Sequence, residues 1–186
     1  MPELESARLK FPEVHQRGLG WCIPAAIEVV LHYFGTHAIA QEEMIYDYYE
    51  KFGDVAFCTR ERQAIQFYSK EKAAIIEMAR GLLLTKANFD VFAAIARERS
   101  AATQQSFEFI HPADSNNFPG HMKSAVDAGH GFLMACILPG GDCHILAVIG
   151  YEGDIIHAYD PATRLTESKT ARDFCVNYDS LIIRKD

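Results

Sequence analysis

The chain has 186 residues, a formal net charge of −7 and an apolar fraction of 49%. That length suits one domain with an ordinary core, so a single domain over 1–186 is expected. The acidic balance argues against nucleic acid or an anionic membrane as the main partner. No stretch approaches the roughly 18–20 apolar residues of a membrane span. Residues 1–10 are polar and lack a signal-peptide core, so a cytoplasmic location is expected, with an unconventional secretion route left open.

The first segment with chemistry in it runs His15-Gln16-Arg17-Gly18-Leu19-Gly20-Trp21-Cys22-Ile23-Pro24-Ala25-Ala26. Residues 23–34 are apolar around nearly the whole helical circumference, which predicts a helix buried on most sides. Pro24 is tolerated only in a first turn, and Gly35 is a natural residue to follow the last. Cys22 therefore stands at the positive end of a helix, where the dipole and free N–H groups favour thiolate over thiol. Its own N–H is among the donors with no intrahelical partner. That N–H can face a developing oxyanion, with the side-chain amide of Gln16, six positions earlier, as the second donor. The competing reading is a structural cysteine on a core helix and a solvated loop glutamine.

The stretch from 36 to 130 reads mainly as helix. One helix covers 39–49, with Glu42, Glu43 and Asp47 outward. Another runs from about Thr59 through Tyr68 and on through 70–81, with Glu71, Lys72 and Glu77 solvated. A third covers 89–99, capped by Asn88. Residues 103–118 read as a polar loop, and 121–128 as a short helix ending at Gly129-His130-Gly131. His111, His121 and His130 read as solvated.

Strands follow. Residues 132–138 form an apolar run between Gly131 and Pro139, and 143–151 and 154–160 read as a hairpin. A two-residue Glu152-Gly153 loop sets His144 opposite Pro161 and Asp160 opposite Ile145; a three-residue loop sets His144 opposite Asp160. Either register brings the carboxylate beside the imidazole, where it can hold one ring nitrogen while the other serves a thiol. The competing readings are a strand-end histidine bonded to backbone and an ordinary Asp-Pro turn. His157 falls on the opposite face from Asp160, and residues 179–184 close the sheet. Five cysteines, an odd number without CxxC spacing, argue against a disulfide framework or a zinc knuckle. Cys136 and Cys175 read as core, and Cys143, on the other face from His144, as a second-layer core residue.

The order Gln16, Cys22, His144, Asp160 resembles the papain-like superfamily and, within it, the C39-type peptidases. The motifs that carry the resemblance are Gln16 with Cys22-Ile23-Pro24-Ala25 and Tyr33-Phe34-Gly35, then His144-Ile145 through Gly150-Tyr151 and Asp160-Pro161. The departure is Ile23, where the family usually has glycine, which bears on substrate more than on chemistry. The resemblance implies an α+β papain-like fold, with a helical half over about 1–130 packed on an antiparallel sheet over about 131–186. It implies a cysteine peptidase acting on a peptide or protein, with Cys22 as nucleophile, His144 as base and acid, Asp160 as its orienter and Gln16 as oxyanion donor. No cofactor and no metal are expected. Two alternatives stand beside this. One is an amidase, deamidase or acyltransferase with the same four residues. The other is a non-catalytic module, or a metal site built from Cys22, Cys143, His144 and Asp160; the alternation of Cys143 and His144 across a strand argues against that ligand set. Oligomeric state is not readable from the sequence.

Overall fold

A computed structural model describes residues 6–36, 39–58, 71–85, 87–102, 106–112 and 117–185. The helix expected from about Thr59 through Tyr68 lies outside the described residues. Helix α1 (Cys22–Tyr33) buries every residue from Ile23 to Leu31. Each large aliphatic side chain so buried contributes about 1.5–3 kcal/mol. Its last turn closes as the sequence implies. Gly35, at φ +81°, donates its N–H to His32 O at 2.9 Å, and Thr36 donates to Leu31 O at 3.0 Å. That paired ending requires a left-handed residue, which glycine supplies without strain.

Helix α2 (Gln41–Phe52) continues in a short 3-10 turn (Gly53–Ala56) and a two-residue strand, β2 (Phe57–Cys58). Next come α3 (Lys72–Ala79), β3 (Leu83–Leu84), which pairs with β2, and α4 (Phe89–Ala102). The Asn88 side chain accepts from Val91 N–H at 2.9 Å, so Asn88 caps α4 as its sequence position implies. Helix α5 (Phe118–Asp127) begins three residues earlier than the sequence pattern suggests, because Pro119 occupies its first turn.

The sheet is antiparallel throughout, in the order β4-β9-β5-β6-β7-β8. Its strands are β4 (Phe107–Ile110), β5 (Gly131–Ile137), β6 (Cys143–Glu152), β7 (Ile155–Asp160), β8 (Leu165–Thr170) and β9 (Val176–Lys185). Strand β1 (Ser6–Arg8) pairs with the end of β6. The architecture is thus the expected mixture of helices and antiparallel sheet, but the two halves interlock. Strands β1 and β4 come from the stretch expected to be helical. Residues 107–110, expected as loop, are a strand because Phe107 and Phe109 alternate inward with a period of two.

Each face of the sheet carries its own core. Ile145, Ala147, Ile149 and Tyr159 pack with α1, α2 and α4, whereas Leu146, Val148, Ile156 and Ala158 pack with α5. Helix α1 therefore lies across one face of β5 and β6 and delivers its N-terminus to the end where β6 begins.

The β6–β7 hairpin turns at Gly153-Asp154, one residue later than a Glu152-Gly153 loop, and Glu152 pairs with Ile155. Gly153 takes φ +58°, as the first position of such a turn requires. Between Val148 and Gly150 the register shifts, leaving Ile149 as a bulge, so that Val148 pairs with Ala158 and Ala147 with Tyr159.

Candidate active site

Continuing that shifted register by one step sets Asp160 opposite Leu146. His144 lies two residues from Leu146 on the same face, a diagonal neighbour of Asp160 within side-chain reach. The His144 Nε2 and Asp160 Oδ1 atoms are 2.8 Å apart. Neither of the two expected registers is the observed one, yet the contact they implied is present. The competing turn reading of Asp160 also holds: the same Oδ1 accepts from Ala162 N–H at 2.8 Å. One carboxylate therefore fixes both the turn and the imidazole.

With Nε2 engaged by Asp160, Nδ1 is the ring nitrogen left for other partners, and Cys22 lies near enough to the ring to act on its pKa. Cys22 is half-buried as the first residue of α1. No side chain caps that helix end. Pro24 carries no N–H, and the N–H groups of Cys22 and Ile23 belong to the turn that has no intrahelical acceptor. Burial alone would lower the His144 pKa. The hydrogen-bonded Asp160 and the neighbouring Cys22 outweigh it, and the imidazole is held at about 10. Burial would likewise raise Asp160, but the His144 bond and charge and the Ala162 N–H hold its carboxyl below the ordinary value.

Gln16 lies in the loop ahead of α1. Its N–H donates to Pro161 O at 2.8 Å, tying the loop to the residue after Asp160. Its side-chain Nε2 donates to Gly18 O at 2.8 Å, while Oε1 is buried without a partner. An amide nitrogen carries two hydrogens, so one remains. Gln16, Cys22, His144 and Asp160 all line one cleft of about 700 Å³. Its walls include Leu19, Ile23, Leu83, Leu84, Phe89 and Leu138. His144 and Asp160 also border a smaller cavity of about 270 Å³ on the α5 side.

Other assignments change. Cys143 is exposed and lines the cleft; it is not a core residue. Its strand parity was right, but the face opposite His144 is the one α1 covers, and at the strand's end that face is the cleft. Partial desolvation at the cleft wall first, then the nearby Cys22 and Asp179, raises its thiol even though the residue is exposed overall. Cys136 is buried as expected, with its thiol pushed up to about 12, mainly by burial. Cys175 is exposed, because the chain turns there at φ +52° before β9 begins. His111 pairs with Asp90 at 3.0 Å, and His121 Nε2 is buried without a partner, so neither is simply solvated. His157 bonds Ser168 Oγ at 2.7 Å. Asp142 and Asp179, which line the cleft, carried no sequence signal. Among the described residues no three His, Cys, Asp or Glu side chains converge as a metal-ligand set, and no helix is long and apolar enough to cross a membrane.

An antiparallel sheet with a helix laid across it brings a cysteine, a histidine and an aspartate to one end, and the fold is that of the C39-like peptidases. The model of the Peptidase_C39 like family matches residues 8–181, and the chain belongs to that family. No curated protein matches it in sequence. Among solved structures, a Bacillus anthracis protein described as a C39-like peptidase superimposes with a TM-score of 0.63 at 10% identity, covering 98% of each chain. The peptidase domain of Streptococcus ComA, a bi-functional ABC transporter of a quorum sensing pathway, gives 0.56 at 13% identity, covering 96% of this chain and 99% of its own. A double glycine motif protease from an AMS/PCAT transporter, solved with a leader peptide, gives 0.52 at 14% identity, covering 97% and 95%.

Proposed function

We propose that this protein is a cysteine peptidase that cleaves a peptide bond through Cys22, His144 and Asp160, with Gln16 and the Cys22 N–H holding the oxyanion. The observation that carries the reading is the His144 imidazole, hydrogen-bonded to Asp160 and set beside Cys22 in one cleft. The raised pKa keeps His144 cationic at neutral pH, which suits a thiolate partner. The thiolate attacks the carbonyl carbon, and the carbonyl oxygen takes up negative charge between the Cys22 N–H and the free Gln16 Nε2 hydrogen. His144 gives its proton to the leaving amine. Water then attacks the thioester, with neutral His144 as base, and Cys22 leaves as thiolate. Asp160 holds the ring in the tautomer that faces sulfur throughout.

Membership of a peptidase family and the open, largely apolar cleft support a peptide substrate. The leader peptide bound to the double glycine motif protease is a precedent for such a ligand on this fold. A library of peptidyl-aminomethylcoumarins and longer peptides, read by fluorescence and mass spectrometry, tests the reading. Cleavage by the wild type that disappears in Cys22→Ala supports it. Cleavage no faster than that of Cys22→Ala overturns it.

A further inference from the structure

The oxyanion reading leaves a question about Gln16. Its side chain makes a single hydrogen bond, to Gly18 O, so the aim of its amide depends on how its backbone is held. Gln41, the first residue of α2 and fully buried, holds it from both sides. Gln41 Nε2 donates to His15 O at 2.9 Å, and Gln41 Oε1 accepts from Arg17 N–H at 2.9 Å. The residue between them is Gln16. One side-chain amide thus takes the place that a single residue of a parallel strand would take, accepting from one neighbour and donating to the other.

Gln41 is itself locked. Its Nε2 also donates to Glu28 Oε2 at 2.7 Å. Glu28 is buried on α1, the one carboxylate in that helix, and takes both oxygens to Arg17 Nη2 at 2.8 Å. Arg80 adds a second hold, donating from Nη1 to Arg17 O at 3.0 Å. A buried, fully bonded polar group of this kind fixes a geometry, because every alternative leaves a donor or acceptor unsatisfied.

We infer that Gln41 is a positioning residue for the oxyanion donor: its amide clamps the backbone on both sides of Gln16 and so aims the Gln16 Nε2 hydrogen into the cleft beside Cys22. The inference rests on the oxyanion role proposed for Gln16. It differs from a purely structural role, in which Gln41 and Glu28 merely join α1 to α2, because it predicts that Gln41 acts on turnover only through Gln16.

The test is a double-mutant cycle on the coumarin substrate identified above, with iodoacetamide alkylation of Cys22 measured in parallel. Gln41→Met keeps the length and removes all three hydrogen bonds; Gln41→Asn keeps polarity but is too short to span His15 and Arg17, and serves if the methionine variant does not fold. The expected result is a fall in kcat of roughly 10–100-fold, somewhat less than the loss of an oxyanion donor outright, with KM and alkylation of Cys22 nearly unchanged. Gln16→Ala/Gln41→Met should then be no slower than Gln16→Ala alone. Additive losses, a parallel fall in alkylation, or an unchanged kcat in a folded Gln41 variant while Gln16→Ala is slow would overturn the positioning role alone. Normal turnover by Gln16→Ala would overturn the oxyanion role, and the positioning role with it.

Discussion

Asp160 Oδ1 accepts from His144 Nε2 and from Ala162 N–H, each at 2.8 Å, so a single oxygen orients the imidazole and closes the turn that follows β7. The same oxygen exists in asparagine. Asp160→Asn can therefore keep both hydrogen bonds and loses only the negative charge. Its kcat should fall less than that of His144→Ala, which removes the group proposed to transfer the proton and should cost several orders of magnitude. The alkaline limb of the Asp160→Asn pH–rate profile should move to lower pH, because its imidazolium has lost its counter-charge. Equal losses in the two variants would show that Asp160 does more than orient.

The pH dependence of stability follows from the same pair. The folded-state pKa of His144 lies at about 10, above its ordinary value of 6.5. Its contribution to stability is therefore complete below about 6.5 and is lost as pH rises through about 10. Urea midpoints of the wild type and His144→Ala, measured across that interval, should converge as pH rises. At the acid end, Asp160 is held below its ordinary value. Its contribution is present above that ordinary value and is lost as pH falls through the lowered one. A wild-type minus His144→Ala difference that grows between pH 6.5 and 10 would contradict the raised pKa.

Reactivity separates Cys22 from the other thiols. Partial desolvation and the neighbouring Cys22 and Asp179 raise Cys143, and burial raises Cys136 to about 12. Among the described cysteines, Cys22 alone has both a helix N-terminus and an imidazolium beside it. Stoichiometric iodoacetamide at neutral pH, followed by peptide mapping, should label Cys22 first. Equal labelling at any of the other four cysteines would remove the basis for the nucleophile assignment.

The parts of the site set by local chemistry were legible in the sequence. Pro24 and Gly35 bounded α1, and Cys22 is its first residue. The hairpin pattern sets His144 beside Asp160, although neither the turn one residue later nor the bulge at Ile149 is legible in it. The bulge takes back half of the shift that the later turn introduces, which keeps Asp160 within diagonal reach of His144. A bulge leaves little trace in the residue types, because the extra residue is apolar like its neighbours. The Glu28–Gln41–Arg17 cluster is legible only at one point, because a lone carboxylate inside an apolar helix is a sign that a buried partner exists. Its partners come from loops and helices whose approach is set by tertiary packing. Strand β8, mostly exposed, has no inward apolar alternation to announce it. For Cys143 the sequence carries the side of its strand but not the environment, since parity says which face a residue takes and not what covers that face.

Helix α1 lies so close to the sheet that the residue beneath it must be glycine. A methyl group at Gly131, the first residue of β5, would stand 2.1 Å from Val30 Cγ1. Val30 is fully buried, and its branched side chain has little rotamer freedom in a helix. Gly131→Ala should lower stability by about 1–3 kcal/mol through overpacking. Gly131→Ala/Val30→Ala should recover part of that loss, measured by urea unfolding. An alanine variant as stable as the wild type would mean that α1 can lift from the sheet at little cost, and that the seat of Cys22 is less rigid than its packing implies.

Gln16 provides the most selective test of the chemistry, because alkylation and acyl transfer make different demands on it. Acyl transfer builds a negative oxygen that needs donors; alkylation of sulfur builds none. Gln16 Nε2 gives one hydrogen to Gly18 O and has one to spare, and Oε1 takes no partner. Removing the side chain therefore deletes one internal hydrogen bond and relieves one unsatisfied buried oxygen, so thermal stability should change little. Gln16→Ala should reduce kcat by roughly 10²–10³, the scale for one oxyanion donor. KM should hold, since the missing bond strengthens only as the carbonyl becomes tetrahedral. The rate at which iodoacetamide modifies Cys22 should also hold, since the His144–Cys22 contact does not involve Gln16. A variant that turns over normally has another donor in that place. One whose alkylation slows in step with its turnover has lost the thiolate environment, and Gln16 would then belong to the support of Cys22 instead of to the oxyanion.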